Sequence, residues 1–444
     1  MDSPGEILVV SCYEMGRQPV ALAAALAALE QAGFRPAALD VSVEKLDPAA
    51  LRRARLVAVS VPMHTALRLG VLVAARAREL NPAAHIAFFG LYATLNGEHL
   101  LARHGDSVIE SSEALVELAR ALGEGRAPRP TVARPREAPL PSRAALPSLE
   151  RYARLEVCEG GPRLVAFVEA SRGCKHLCRH CPIVPVYRGR FFAVPRENVL
   201  ADIEQQIARG AEHVSFADPD FLNGPTHALK IARELNARWP AMTFDATIKI
   251  EHLLQHRELL PELAKCGLMF ITSAVESLSD RVLGALHKGH SAADVPLALQ
   301  LVRDAGIELR PTLLPYTPWT ELRDLPGLFE FAGDHDLAFA IDPVQYTLRL
   351  LIPPGSAILD GDEPRPWLRS FEPEAFGWSW AHEDPRVDAL WRQSAALMQE
   401  RASADAGETF AALHDLAARA AQRPRREMRA ARRKTPRLTE PWFC

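Results

Sequence analysis

The sequence predicts an α/β chain built on two sheets: a doubly wound, Rossmann-like domain, then a partial (β/α)6 barrel and a helical C-terminal region. Three observations carry this. From Glu6 to about Gly123, short β-branched runs alternate with longer Ala- and Leu-rich segments. The alternation resumes at Arg163 and continues to about Pro354. Between the two series, Pro128, Pro130, Pro135, Pro139, Pro141 and Pro147 exclude a continuous helix or a central strand. The expected boundaries are therefore 1–123, a proline-rich surface linker at 124–150, a barrel at 151–355 and a helical region at 356–444.

In the first series the expected strands are Ile7–Val10, Pro36–Leu39, Leu56–Ser60, His85–Phe89 and Ser107–Ile109, with helices over Val20–Ala32, Ala66–Leu80 and Glu113–Leu122. In the second they are Leu164–Val168, His213–Phe216, Phe244–Thr247, Leu268–Ala274, Ile307–Leu314 and Val344–Leu351. The strongest helical stretches beyond the barrel are Pro385–Glu400 and Thr409–Ala421. A 444-residue chain with 48% hydrophobic residues can bury ordinary cores. Its net charge of −3 argues against binding nucleic acid by bulk electrostatics, and the basic run Arg423–Arg437 reads as a solvated face. Seven cysteines without a secretory signal point to a reducing cytoplasm, and no run is long enough to span a membrane.

The run Glu169-Ala-Ser-Arg-Gly-Cys174-Lys-His-Leu-Cys178-Arg-His-Cys181-Pro182 places three thiols at CxxxCxxC spacing directly after a strand. Closed structural zinc sites take four ligands, whereas a cubic iron cluster on three cysteines keeps one iron open. A zinc knuckle completed by His176 or His180 is the alternative. The spacing strongly resembles the radical S-adenosylmethionine (SAM) enzymes. The resemblance implies a 4Fe-4S cluster on Cys174, Cys178 and Cys181, whose open iron chelates SAM and whose electron cleaves it to a 5′-deoxyadenosyl radical. His180 stands where the family often carries an aromatic residue, and the resemblance places it near the adenine.

In parallel α/β folds ligands gather where strands end. After the second barrel strand, Ala217-Asp-Pro-Asp-Phe-Leu222 resembles the Asp-Pro-x-Phe segment of cobalamin-dependent radical SAM proteins. Asp218 and Asp220 either face the ammonium group of SAM or form an Asx turn ahead of the helix at Thr226. After the fourth strand, Ser273-Ala-Val-Glu-Ser277, followed by Lys288-Gly289, resembles the family's Glu-Ser block with its later Lys-Gly. The resemblance assigns Ser273 and Glu276 to SAM, with Glu276 on the ribose hydroxyls, and sets Lys288 near the cofactor's carboxylate. A helix cap is the other reading of Glu276. Arg310, on the fifth strand, either clamps a carboxylate or forms an ordinary ion pair.

The first domain resembles the cobalamin-binding domains of radical SAM methylases through Phe88-Phe-Gly-Leu-Tyr-Ala-Thr94 and Asp106-Ser-Val-Ile-Glu-Ser-Ser-Glu113. Leu91 and Ser111 replace expected glycines, and no Asp-x-His-x-x-Gly motif is present to ligate cobalt. The loops after the strands, with Met63, His64, Gly90, Leu91 and Tyr92, are the expected corrin contacts; a histidine such as His64 is more often a capping or core-edge residue than a ligand. A domain that keeps the fold and binds nothing is the alternative. Leu438-Thr-Glu-Pro-Trp-Phe-Cys444 resembles the end of a radical SAM family with a CUAEP or CCAEP tail, which implies that a selenocysteine codon follows Cys444.

The expected function is that of a radical SAM enzyme, with cobalamin as second cofactor, methylating an unactivated carbon of a small-molecule or peptide substrate. An electron donor such as flavodoxin or ferredoxin is implied, with no nucleic acid or membrane partner. The alternatives are a radical SAM enzyme without methyl transfer, such as sulfur insertion or rearrangement, and a non-catalytic Fe–S or zinc protein.

Overall fold

The computed structural model describes residues 1, 3–110, 112–126, 139–157, 160–402, 404–424, 426 and 435–440. Ser111 and Cys444, both singled out in the sequence, lie outside them, as do residues 127–138 of the proline-rich stretch.

The first domain is a parallel sheet of β1 (Ile7–Ser11), β2 (Ala37–Asp40), β3 (Leu56–Ser60), β4 (His85–Phe89) and β5 (Ser107–Ile109), in the order β2-β1-β3-β4-β5. This is a doubly wound arrangement whose order reverses between β1 and β3. Five consecutive buried residues in β1 and in β3 suit strands covered on both faces. Helices Val20–Gln31 and Ser112–Gly123 cover one face, and Pro48–Arg53, His64–Leu80 and Gly97–Arg103 the other.

The second sheet holds β6 (Arg154–Glu156), β7 (Arg163–Val168), β10 (His213–Phe216), β11 (Thr243–Thr247), β12 (Leu268–Glu276), β13 (Glu308–Leu313) and β16 (Arg437–Leu438). Its order is β13-β12-β11-β10-β7-β6-β16. The pairs from β7 to β13 are parallel and form a curled half-barrel; β6 and β16 are antiparallel additions at one edge. Side chains such as Ala166, Val214, Phe244, Ala246 and Ile271 pack outward against the helices. The alternation of the strands turns Val165 and Phe270 inward, where they meet Leu155 and Leu438. A small antiparallel pair, β8 (Ser171–Gly173) and β9 (Phe191–Ala193), brackets the cysteine loop.

Three expectations are corrected. The sixth strand, Val344–Leu351, is instead a 3-10 turn over Pro343–Thr347 with one isolated bridge, Tyr316 to Arg349. Pro343 cannot donate to a ladder, and the Gln345 side chain accepts from the Leu313 N–H at 3.1 Å, capping the edge of β13. The end of the linker is not draped over the surface: Arg143 is 1% exposed and binds Asp202 through two nitrogens, the Phe167 carbonyl and Gln18. The C-terminal region is not wholly helical. Helices Pro385–Glu400 and Ala406–Ala420 are there, but a hairpin of β14 (Leu368–Glu372) and β15 (Gly377–Trp380) precedes them and β16 follows. The turn at Pro373–Ala375 joins the two antiparallel strands of that hairpin. No helix among the described residues is long and apolar enough to cross a membrane.

Candidate functional site

The three cysteines occupy the loop from β8 to the helix Ile183–Tyr187, at the C-terminal end of β7. Gly173, immediately before Cys174, has φ +77°, and a β-carbon there would collide with the Arg190 carbonyl and the Tyr187 ring. The loop can only turn at this point with glycine. Asn223, from the segment after β10, accepts from the Lys175 N–H at 3.1 Å and from the Cys174 thiol at 3.7 Å. Cys174, Cys178 and Cys181 are all free thiols. Burial, and then the charges of its two neighbours, push Cys181 up to about 12 despite a hydrogen bond from Ile183; a bound metal is what holds such thiols ionised.

Three of the expected SAM residues meet. His180 Nε2 lies 3.2 Å from Glu276 Oε1, and Lys288 Nζ donates to the same oxygen at 3.3 Å. Glu276 ends β12 at φ +64°, beyond a register shift against β13. Burial alone would raise its carboxyl, but the Lys288 charge and the His180 bond outweigh it and bring Glu276 to about 2. The outcome is a fixed buried carboxylate beside the cysteine loop. His180 Nδ1 and Ser273 Oγ are buried here without a hydrogen-bond partner, as expected of groups placed for a polar ligand.

The other expected SAM residues are placed differently. Asp218 accepts from the Ala170 N–H at 2.8 Å and from the Ser171 hydroxyl at 2.5 Å, which ties β10 to the start of the cysteine loop. Asp220 accepts from Leu222 N–H at 3.0 Å in the Asx geometry weighed above. Arg310 does not join the Glu276 group. It lies three residues before Leu313, the partner of Glu276, or about 10 Å down the strand, and its guanidinium is held by Asp342 at 3.2 Å and by Thr435 and Pro436. Asn223, Lys249 and His252 also approach the cysteine loop, the last two at its His176, and none of these four was assigned to SAM. Lys249 sits just beyond β11, so the rule of looking where strands end would have found it.

The first domain presents its strand ends to this loop. Helix Leu91–Leu95, which follows β4, packs on Ile183–Tyr187, and the buried Tyr92 phenol is raised first by burial and then by the Cys181 charge. Gly90 has φ +104°, and a β-carbon there would come within 3.1 Å of the Val61 backbone. His64 starts its helix and bonds the Ala375 carbonyl at 2.7 Å, while Met63 and Leu91 pack into the apolar core. At the point where strand order reverses, Ser11 Oγ, Ser60 Oγ and Glu14 Oε1 are buried without partners. Polar groups left open at that crevice fit a polar ligand between β1 and β3.

Residues 168–326 match the family model of the radical SAM superfamily. The chain carries a radical SAM domain. Domains of this kind hold a 4Fe-4S cluster and SAM, and the matched residues include Cys174, Cys178 and Cys181. Among curated relatives, tRNA-2-methylthio-N(6)-dimethylallyladenosine synthase of Serratia proteamaculans is 26% identical over 248 residues, covering 52% of this chain and 49% of that protein. The enzyme of the same name from Shewanella denitrificans is 25% identical over 215 residues, 44% of each chain. The chain thus spans about half the length of the curated relatives it matches. Two solved structures share the fold across both domains. The radical SAM methyltransferase TsrM of Kitasatospora setae, with cobalamin and a 4Fe-4S cluster bound, has a TM-score of 0.63 at 16% identity, covering 85% of this chain and 81% of that one. The cobalamin-dependent SAM radical enzyme OxsB, with aqua-cobalamin bound, has a TM-score of 0.64 at 13% identity, covering 89% and 67%.

Proposed function

We propose that this radical SAM enzyme is cobalamin-dependent and methylates an unactivated carbon of a small-molecule or peptide substrate. The observation that carries the reading is the apposition of the two domains: the loop after β4, with Tyr92, packs on the helix that follows Cys181. The solved structures with this two-domain fold, TsrM and OxsB, hold cobalamin, which supports placing it between Met63, His64, Gly90, Leu91, Tyr92 and the cysteine loop. When bound, the cluster with SAM supplies a 5′-deoxyadenosyl radical, and cobalamin supplies a transferable methyl group. Cys174, Cys178 and Cys181 hold the cluster, and Glu276, fixed as a carboxylate by Lys288, accepts from the ribose hydroxyls of SAM. His180 orients Glu276, and the packed domains exclude water from the space between them.

The reading places the chain in the cytoplasm with a flavodoxin or ferredoxin as electron donor. It includes the CUAEP-tail resemblance, tested by whether a UGA codon and Ala-Glu-Pro follow Cys444 in the gene. Anaerobic reconstitution tests the main claim: corrinoid absorbance beside the cluster band, with about four irons per chain, is expected. Cys178→Ala should abolish SAM cleavage. The names of the curated relatives favour a second reading, a radical enzyme that adds a methylthio group; that reading predicts no corrinoid absorbance.

A further inference from the structure

The segments after β10 and β11 place a second donor set against the cysteine loop, separate from the Glu276 group. Asp220 Oδ2 lies 2.9 Å from His252 Nδ1 and 3.7 Å from His176 Nε2, and the three ligand atoms all fall within 4.8 Å of one another. Two ligands each about 2.1 Å from a metal, at a tetrahedral angle, stand roughly 3.4 Å apart, between these two separations. The side chain of Asp220 is 2% exposed, that of His252 9% and that of His176 15%, so water cannot freely serve them. Yet His176 Nε2 and His252 Nδ1, the two nitrogens turned to the carboxylate, have no hydrogen-bond partner. Buried imidazole nitrogens converging on a carboxylate without bonding it are a costly arrangement that a cation would satisfy.

We propose that His176, Asp220 and His252 form a site for one divalent transition-metal ion, distinct from the three cysteines. Two imidazoles and one carboxylate suit zinc, iron(II) or cobalt(II), and three protein ligands leave a position open for water or a substrate donor. The surroundings supply an outer shell. His176 Nδ1 takes the Lys249 ammonium at 3.1 Å and lies 3.4 Å from Glu251 Oε2; with Lys249 turned wholly onto Glu251, a proton on Nδ1 can be donated to that carboxylate and Nε2 is free to bind metal. Glu251 also takes the nearby Lys249 ammonium at 2.8 Å, which compensates the positive charge beside the site. Both oxygens of Asp220 are oriented by the backbone: Oδ1 accepts from the Leu222 N–H at 3.0 Å, and Oδ2, the oxygen facing the imidazoles, accepts from the Lys249 N–H at 3.3 Å. Because His176 lies between Cys174 and Cys178, an ion here would also pin the first turn of the cysteine loop.

The test is cobalt(II) titrated anaerobically into the full chain carrying Cys174→Ala, Cys178→Ala and Cys181→Ala together. The expected result is d–d absorption saturating near about one equivalent, without sulfur-to-cobalt charge transfer, and lost on adding His252→Gln or Asp220→Asn. Should the triple variant not fold, the cluster-loaded wild-type chain is soaked in zinc(II), desalted and assayed: about one zinc beyond the irons is expected, and none in His252→Gln. Cobalt bound through sulfur, metal binding unchanged by His252→Gln and Asp220→Asn, or no metal retained, would each overturn the proposal. None of these readouts depends on cobalamin or on methyl transfer, so the two readings fail separately.

Discussion

Glu276 combines an unfavourable backbone with a buried charge. A non-glycine residue at φ +64° costs of order 1–3 kcal/mol, and such outliers concentrate at ligand sites. Its carboxylate is the counter-charge of Lys288, whose side chain is 3% exposed. Glu276→Gln should therefore destabilise the fold by about 3–5 kcal/mol, because a buried ammonium is left unpaired. Lys288→Met added to Glu276→Gln should recover most of that in urea unfolding; a single variant costing under about 1 kcal/mol contradicts the pairing. Glu14 runs the other way. Burial first, and then Asp40, push its carboxyl up to about 8, with Oε2 accepting from Val20 N–H at 3.2 Å. A carboxyl held protonated in the fold stabilises least where the unfolded chain ionises it, so stability should fall as pH rises from the ordinary carboxylate range to about 8. Glu14→Gln should flatten that decline in thermal melts at pH 5 to 8; an unchanged slope excludes Glu14 as its source.

The cysteine loop is an element held by its neighbours more than by itself. β8 and β9 clamp its two ends, Asp218 ties its start to β10, and Asn223 caps Lys175. Gly173→Ala has neither the backbone conformation nor the room it needs, so it should cost about 2 kcal/mol or more and lower the iron bound after reconstitution. Iron content and melting temperature equal to wild type would show that the turn can relax. The elements most legible in the sequence were the longer ones: β3, β4 and β10 and the helix Pro385–Glu400 fall where the pattern puts them. β8, β9, β6 and β16 were not legible, because two- and three-residue strands carry no periodic signal and exist only through their partners. The family resemblance assigned Glu276, His180 and Lys288 separately to SAM, and the fold brings the three together, whereas Arg310 stays apart. A strand residue shows which face it takes but not how far along the sheet its partners lie, and Asp342 comes from a loop with no periodicity to read.

On the scale of the whole molecule, Arg143 is the residue that joins the parts. Its guanidinium connects the end of the linker to Asp202 on a barrel helix, to the Phe167 carbonyl of β7 and to Gln18 of the first domain. Arg143→Ala should cost about 3–5 kcal/mol by leaving the buried Asp202 carboxylate without a counter-charge, and Arg143→Lys should not rescue it, since an ammonium cannot reproduce the fork. Chemical denaturation would show this as a lower midpoint; a wild-type midpoint for Arg143→Ala argues that the domains are held otherwise. The last sheet partner has a different consequence. β16 adds to β6, with Arg437 paired to Glu156 at 2.7 Å across a sequence separation of 281 residues, and Thr439 exchanging bonds with Arg154. During synthesis, the outer edge of β6 therefore stays open until nearly the whole barrel and both late helices have left the ribosome. An exposed edge is a template for pairing with other chains, and closing it over so long a loop is slow. The nascent chain is thus most prone to misassociate just before residues 437–440 arrive, and a chaperone that covers strand edges would act on it at that stage.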